Sequence, residues 1–414
     1  MRYSHLFGKT TSNVTKKYDS ISHELLMKAG YIDQVAAGIF SFLPLGKRVL
    51  ARIESIIRDE MNTIGGQEIA MPALQPKAVW ETTDRWNSVD DLFKIKSMYG
   101  KEYGLGPTHE EIVTPLAKKY VKSYRDLPLY LYQIAPKFRD EARAKSGILR
   151  GREFGMKDLY SFHENRADLS SFYTKVTDAY LTIFKRCGLI DVKITEASGG
   201  SFAKKYSHEF NVITPAGEVD LIYCTACNFA QNTEIAALQK GDVCPHCIKG
   251  SVQIDKAIEI GNIFDLGTRF SSAFDLTFTA RDGSQQFPMM GCYGIGTTRL
   301  LGTVVEVNHD EKGILWNRET APYDCHLINL SSDQEKHADA VYRTLLGKGF
   351  EVLYDDRIEI SSGQKLMVAD LIGIPIRLIV SDRTGRDIEW KSRTDKKTRM
   401  MTVAQVIEKL SLKS

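Results

Sequence analysis

Four of the chain's seven cysteines fall in one stretch, CTACNFAQNTEIAALQKGDVCPHC, from Cys224 to Cys247. They form two CxxC pairs, Cys224/Cys227 and Cys244/Cys247, with sixteen residues between them. Thiolates at such spacing can exchange disulfides, hold a metal that does chemistry, or hold a metal that closes a loop. The spacing lies in the range of zinc ribbons. Four thiolates fill a tetrahedron and leave no position for water, which favours a structural zinc. A redox role needs a thioredoxin-like βαβ setting, and the flanking pattern lacks one. Reduced free cysteines are the remaining alternative. His246 lies inside the CPHC knuckle and reads as a bystander. Cys187, Cys292 and Cys325 stand alone and read as small buried apolar residues.

A second group is FRDEARAKSGILRGREF, Phe138 to Phe154. Arg139 and Glu141 lie two apart in a predicted strand, so they face one side. A loop with Arg143, Lys145 and Arg150 follows, then a strand with Arg152 and Phe154. Guanidinium groups bind phosphate oxygens as bidentate forks, and an aromatic on the next strand can stack on a base. A solvated basic loop fits the spacing equally well. GCYGIGTTRLLG, ending in Arg299 and Gly302, is by itself a tight turn. It is neither the dinucleotide fingerprint nor a P-loop. In GPTHEE, Thr108 reads as a helix cap with Glu110 and Glu111 in the first turn, and Glu110 could also receive a ligand amine. His163 and His208 lie near predicted strand ends with no metal-ligand spacing. From Arg383 to Arg399, seven Lys/Arg stand against three Asp/Glu. That is a solvated face, or a surface for RNA phosphate.

The elements that must position these residues follow from periodicity. The chain has 414 residues, enough for two or three domains. Hydrophobic content of 43% and charged content of 26% are ordinary for a soluble protein, and a net charge of +3 does not mark the whole chain as a nucleic-acid binder. No apolar run is long enough to span a membrane, and the N-terminus lacks a signal-peptide core, so a cytoplasmic protein is expected. Helical spacing runs from Arg48 to Ile64 and stops at Gly65-Gly66. Strands are expected in QEIAMPAL as far as Pro72, in LYLYQIAPKFRDE and REFGMKDLYSF, and around Glu209–Ile213, Val219–Tyr223 and Phe274–Ala280. Leu169 to Phe184 reads as a helix. A break at Glu319-Thr320-Ala321-Pro322 precedes alternating strands and helices. The expected division is an α+β domain over 1–320, an antiparallel sheet flanked by helices with a cysteine-rich insertion at 220–256, followed by a smaller α/β domain over 321–414.

In order and spacing, these segments resemble the class II aminoacyl-tRNA synthetases, and within them the bacterial-type prolyl-tRNA synthetases. IRDEMNTIGGQEIAMPALQP resembles motif 1, LGPTHEE the amino-acid loop, FRDE…LRGREFGMKDLYSF motif 2 and GCYGIGTTRLLG motif 3. YDDRIEISSGQKLMVADLIGIP resembles the anticodon-binding domain. The resemblance implies ATP-dependent ligation of L-proline to tRNA(Pro) through a prolyl-adenylate, with Mg2+. It implies that Arg139 binds the α-phosphate and proline carboxylate, Glu141 the adenine amino edge, and Phe154 the adenine face. Arg299 would bind the γ-phosphate on the other ring face, and Arg150 the outer phosphates. Gln231 would join the ATP site. Thr108 and Glu110 would receive the imino group, and His163 and His208 would line or close that pocket. Asp355, Arg357 and Lys365 are the anticodon candidates, and a homodimer through motif 1 is implied. In the family, GGS runs almost directly into SHEF, whereas here GGSFAKKYSHEF carries extra residues. GQKLM stands where GxKF is common. The larger bacterial relatives carry an editing domain after the segment that resembles FAQNTEIA. Here only a short cysteine-rich connection remains, so proofreading would fall to a separate protein. The competing readings are a threonine enzyme, whose pocket zinc takes mixed Cys/His ligands, and an inactive paralogue acting as a binding protein, which would be expected to lose the motif arginines kept here.

Overall fold

The structure, a computed structural model, describes residues 1–11, 18–198 and 207–412. The whole GGSFAKKY stretch, 199–206, lies outside the described residues. The chain forms two compact units. One comprises Ala36–Ile39 with Glu54–Thr303, the other Met1–Val35 and Phe40–Ile53 with Val304–Ser414.

The larger unit is built on a nine-stranded sheet. Its order is Ser207–Ile213, Val192–Ala197, Ala230–Asn232, Val219–Cys224, Val252–Gly267, Met289–Gly296, Glu153–His163, Leu129–Phe138, Gln67–Glu68. Neighbours are antiparallel except at two places, where Ala230–Asn232 meets Val192–Ala197 and Gln67–Glu68 meets Leu129–Phe138. The Arg166–Arg186 helix packs on the two strands Met289–Gly296 and Glu153–His163. Its buried stripe, Leu169, Phe172, Val176, Ala179, Tyr180, Ile183 and Phe184, has helical spacing. Each large side chain in it contributes roughly 1.5–3 kcal/mol by leaving water. Asn165 caps the helix by accepting from the Asp168 N–H at 3.0 Å.

Three sequence expectations change here. As far as Pro72, QEIAMPAL pairs as a strand only at Gln67–Glu68. Phe274–Ala280 is a strand only at Phe278–Thr279, because Arg269–Ala273 closes as a short helix and Asp275 turns the chain with φ 50°. The Gly-rich junction MGCYGIG is itself the strand Met289–Gly296. The sixteen-residue strand Val252–Gly267 has no clear signal in the sequence, since its acidic residues interrupt the apolar alternation. A Cβ at Gly155 would lie 2.4 Å from Thr297 Oγ1, so only glycine lets the Thr297–Val307 helix start against the Glu153–His163 strand.

The smaller unit carries a five-stranded sheet in the order Val352–Asp355, Cys325–Asn329, Ile376–Val380, Ile388–Ser392, Arg399–Met401. The first three strands are parallel, as alternation with helices requires, and the last two are antiparallel. The Arg383–Arg399 run is not simply a solvated face. It contains the Ile388–Ser392 strand, which buries Ile388 and Trp390 while its charges point outward. The chain start belongs to this unit rather than to the segment ending at 320. The Met1 ammonium donates to Val352 O at 2.8 Å, and Arg2 grips both oxygens of Asp339 at 2.9 and 2.8 Å.

Two lysines are fully buried in the large sheet. Lys137 pairs with Asp158 at 2.7 Å. Lys157 donates to the Tyr180 hydroxyl, and to Tyr293 O at 3.0 Å. Burial brings the Lys157 pKa down to about 7. Between that value and 10.5 the unfolded chain holds a proton that the folded chain lacks, so this residue's penalty falls as pH rises. Relative to wild type, Lys157→Met should therefore be most favoured at or below pH 7, with the advantage shrinking towards pH 10 in thermal melts. A pH-independent difference contradicts the burial argument. Asp158→Asn leaves Lys137 buried without its counter-charge and should cost about 3–5 kcal/mol in denaturant titration. Lys137→Met combined with Asp158→Asn should recover a large part of that loss.

Candidate active site

A cleft of about 670 Å³ opens on the larger unit. Thr108, Arg139, Glu141, Arg150, Phe154 and Arg299 all line it. Register explains the first part of this. Lys137 lies opposite Phe154, and Phe138 opposite Glu153. The strand ends at Phe138, so Arg139 and Glu141 are not strand residues as expected. They sit in a tight turn in which the Glu141 N–H donates to Arg139 O at 2.7 Å. Arg139 stays beside Phe154 because its N–H donates to Arg152 O at 2.9 Å. Its guanidinium lies 5.2 Å from the Phe154 ring centre and 3.7 Å from the Asp91 carboxylate.

Arg150 bridges two carboxylates, Glu141 at 2.7 Å and Glu218 at 2.6 Å. Burial works against charge on Glu141, but Arg150 and the Arg143 N–H hold it below the usual carboxylate range. Arg299, in the first turn of its helix, donates to Leu149 O at 2.8 Å and Glu259 O at 3.1 Å. The cleft is therefore lined by three guanidiniums, one of them beside the Phe154 ring. That suits a nucleotide with a polyphosphate.

A second polar group adjoins these. Thr108 does not cap the following helix. His109 occupies the cap position without a side-chain bond, and Thr108 Oγ1 instead donates to Glu110 Oε2 at 2.5 Å. Glu110 is fully buried, and its Oε1 has no hydrogen-bond partner among the described residues. Cys292 also lines the cleft, and burial together with nearby Glu110 pushes its thiol well above the ordinary range. It is thus a wall residue as well as a buried one. Tyr160 Oη accepts from the His109 N–H at 2.8 Å and donates to Asp158 Oδ2 at 2.9 Å. A buried carboxylate with a vacant acceptor beside a hydroxyl suits a small ammonium or iminium group.

Other expected residues lie elsewhere. Asn232 and Glu234 line the cleft but Gln231 does not. His163 is buried with Nδ1 2.8 Å from Asp168 Oδ2, packed on Tyr130 and Phe172. His208 Nδ1 meets the Tyr173 hydroxyl at 2.7 Å. Neither histidine is among the lining residues. Arg357 grips Asp355 at 2.8 and 2.6 Å and lies 4.1 Å from the Tyr3 ring centre, while Lys365 donates to Asn329 O at 2.5 Å. All three are engaged inside their own unit. Asp158, Glu218 and Glu259 line the cleft and were missed from sequence. For Asp158 a signal existed, because it stands two residues from Tyr160 on one strand face.

The four cysteine sulfurs all lie within 4.8 Å of one another. Cys224 and Cys247 are 3.7 Å apart, as are Cys227 and Cys244. A tetrahedron of zinc–sulfur bonds near 2.3 Å places its sulfurs about 3.8 Å apart, so the geometry fits the ion. The Ala226 N–H donates to Cys224 Sγ at 3.2 Å. None of the four lines the cleft, which separates them from an amino-acid pocket.

Residues 93–308 match the family described as tRNA synthetase class II core domain (G, H, P, S and T), and residues 324–413 match the anticodon binding domain. A proline–tRNA ligase of Dehalococcoides mccartyi (strain CBDB1) is 32% identical over 562 residues, covering 99% of this chain and 98% of that protein. One from Moorella thermoacetica is 32% identical over 551 residues, covering 95% and 96%. Both matched spans exceed the 414 residues of this chain, so these relatives carry sequence that it lacks. Among solved structures, Giardia lamblia prolyl-tRNA synthetase in complex with prolyl-adenylate aligns with a TM-score of 0.78 at 21% identity, covering 94% of this chain and 75% of that one. Cryptosporidium parvum prolyl-tRNA synthetase complexed with L-proline and AMP aligns at 0.76 and 18% identity, covering 97% and 76%. The structural likeness shows a shared fold. With 32% identity to curated relatives over nearly its full length, the chain belongs to the proline–tRNA ligase family of class II aminoacyl-tRNA synthetases.

Proposed function

We propose that this chain activates L-proline with ATP and transfers it to tRNA(Pro). The observation that supports the assignment to proline is the Thr108–Glu110 pair: Thr108 lines the cleft together with Cys292, and the buried Glu110 behind it, itself not a lining residue, accepts from Thr108 and keeps one oxygen with no hydrogen-bond partner among the described residues. Glu110 and Thr108 receive the proline imino group. Arg139 binds both the proline carboxylate and the α-phosphate, which brings the attacking oxygen in line with phosphorus. Catalysis is then mainly positioning and charge neutralisation. Phe154 stacks on adenine, Glu141 accepts from its amino group, and Arg299 and Arg150 hold the departing pyrophosphate. No side chain need act as a base. The terminal ribose hydroxyl of the tRNA then attacks the adenylate carbonyl, forming the prolyl ester as the anhydride C–O bond breaks and AMP leaves, its phosphate taking up the hydroxyl proton. Gln231 supports the nucleotide site through its neighbours Asn232 and Glu234. His163 and His208 shape the amino-acid side from behind, through Phe172 and Tyr173.

The carboxylates of Glu218, Glu234 and Glu259 line the cleft and are donors of the kind Mg2+ takes. When bound there, the ion supplies further neutralisation of the polyphosphate. The four cysteines hold a structural Zn2+. The smaller unit reads the anticodon, with Asp355, Arg357 and Lys365 as contacts or as the frame that sets them. The chain works in the cytoplasm as a homodimer through its motif 1 segment. With no editing insertion, mischarged tRNA is cleared by a separate protein.

Pyrophosphate exchange across amino acids tests the assignment. Proline alone should support it, and Glu110→Gln should lower kcat/KM for proline by about 100-fold, as expected for losing a charge-assisted bond in a buried site. Exchange with threonine instead of proline, or none at all, defeats the reading. Metal analysis should find one zinc per chain and its loss in Cys224→Ser.

A further inference from the structure

The hairpin that carries the first cysteine pair also carries part of the cleft wall. Its strands, Val219–Cys224 and Ala230–Asn232, pair with Leu221 opposite Asn232 and Tyr223 opposite Ala230. The turn between them is the Cys224–Cys227 knuckle, closed by the Cys224 N–H donating to Phe229 O at 2.9 Å. The sulfurs sit at that end. At the other end, Glu218, Asp220, Asn232 and Glu234 line the cleft. A six-residue strand, about 17 Å long, separates the two ends.

The cleft end is itself anchored. A Cβ at Gly217 would lie 2.4 Å from the Ala257 backbone, and the Glu218 N–H donates to Ala257 O at 3.0 Å. Glu218 then takes Arg150 at 2.6 Å and Lys145 at 3.4 Å, and Arg150 holds Glu141 at 2.7 Å. The returning strand is weakly held by comparison. Ala230–Asn232 has three residues and meets its outer neighbour through the single pair Gln231 and Glu196. So short a strand gains little from pairing alone. What fixes its approach is the cysteine cluster, where Cys224 and Cys244 are buried with Ile222 and Val252, and Phe229 packs beside them.

We infer that the metal-filled four-cysteine cluster is a remote positioning element for the nucleotide end of the cleft. The clip fixes the turn and the returning strand of the hairpin, which leads to Glu234 and packs alongside the strand that follows Glu218, the partner of Arg150. This rests on the zinc reading above. Its test uses the full chain, with zinc stripped by a strong chelator and then restored, and Cys227→Ser as a second route to the metal-free state. Hydrogen–deuterium exchange should quicken over 219–234 and over the loop 143–150, but not over Glu153–His163. In pyrophosphate exchange the KM for ATP should rise by about fivefold or more, while that for proline stays within about twofold. Restored zinc should reverse both changes. Unchanged exchange at 143–150 with an unchanged ATP KM overturns the inference, because the clip then closes only its own loop. Equal rises in both KM values with faster exchange over Glu153–His163 also overturn it, by showing a general stability role. A chain purified without metal defeats the zinc reading before any chelation. A zinc-bearing chain without proline exchange defeats only the reaction assignment and leaves the hydrogen-exchange arm to decide.

Discussion

One buried carboxylate ties the catalytic unit together. Asp158 pairs with Lys137 at 2.7 Å and accepts from Tyr160 at 2.9 Å and Gln133 at 3.0 Å. Each partner reaches a different segment. Gln133 accepts the Met71 N–H at 2.9 Å, just past the motif 1 strand, and Tyr160 accepts the His109 N–H, at the amino-acid loop. A charge so deeply buried needs a counter-charge and donors, and the side chains that supply them also bond the Met71 and His109 amides, one on each of two distant segments.

The cleft in front of Asp158 follows a related logic. Its cations are held before any ligand arrives: Arg139 near Asp91, Arg150 between Glu141 and Glu218, and Arg299 on the Leu149 and Glu259 carbonyls. Prepaired guanidiniums keep their positions at small reorganisation cost, which is what stabilisation of a developing phosphate charge needs. The chain's near-neutral balance is therefore compatible with a strongly charged substrate, because the charge is local and organised.

Much of this was legible from residue order. Arg139, Glu141, Arg150 and Phe154 are candidates by type and spacing alongside a solvated-loop reading, Arg299 stands out only through the resemblance of its segment to motif 3, and all five line the cleft. Order along the chain carries over because turns and helix starts are local geometries, although the strand stops at Phe138, short of Arg139 and Glu141. What packs behind an element is not local: His163 packs on Phe172 and His208 bonds Tyr173, and neither is among the lining residues. Asp158, Glu218 and Glu259 enter the cleft from three separate strands or turns, a convergence that no single window of sequence contains.

The cysteine stretch separates the two kinds of information most clearly. The sequence alone determined that four thiols could meet, since two CxxC knuckles impose their own short-range geometry, and that no editing domain fits between them and the next strand. Only the tertiary structure decided that these sulfurs lie one strand length from the cleft, with Glu218 and Glu234 at the near end of the same hairpin. That placement depends on long-range pairing with Val252–Gly267, from Val219 opposite Ala257 to Cys224 opposite Val252, which no short window of sequence contains.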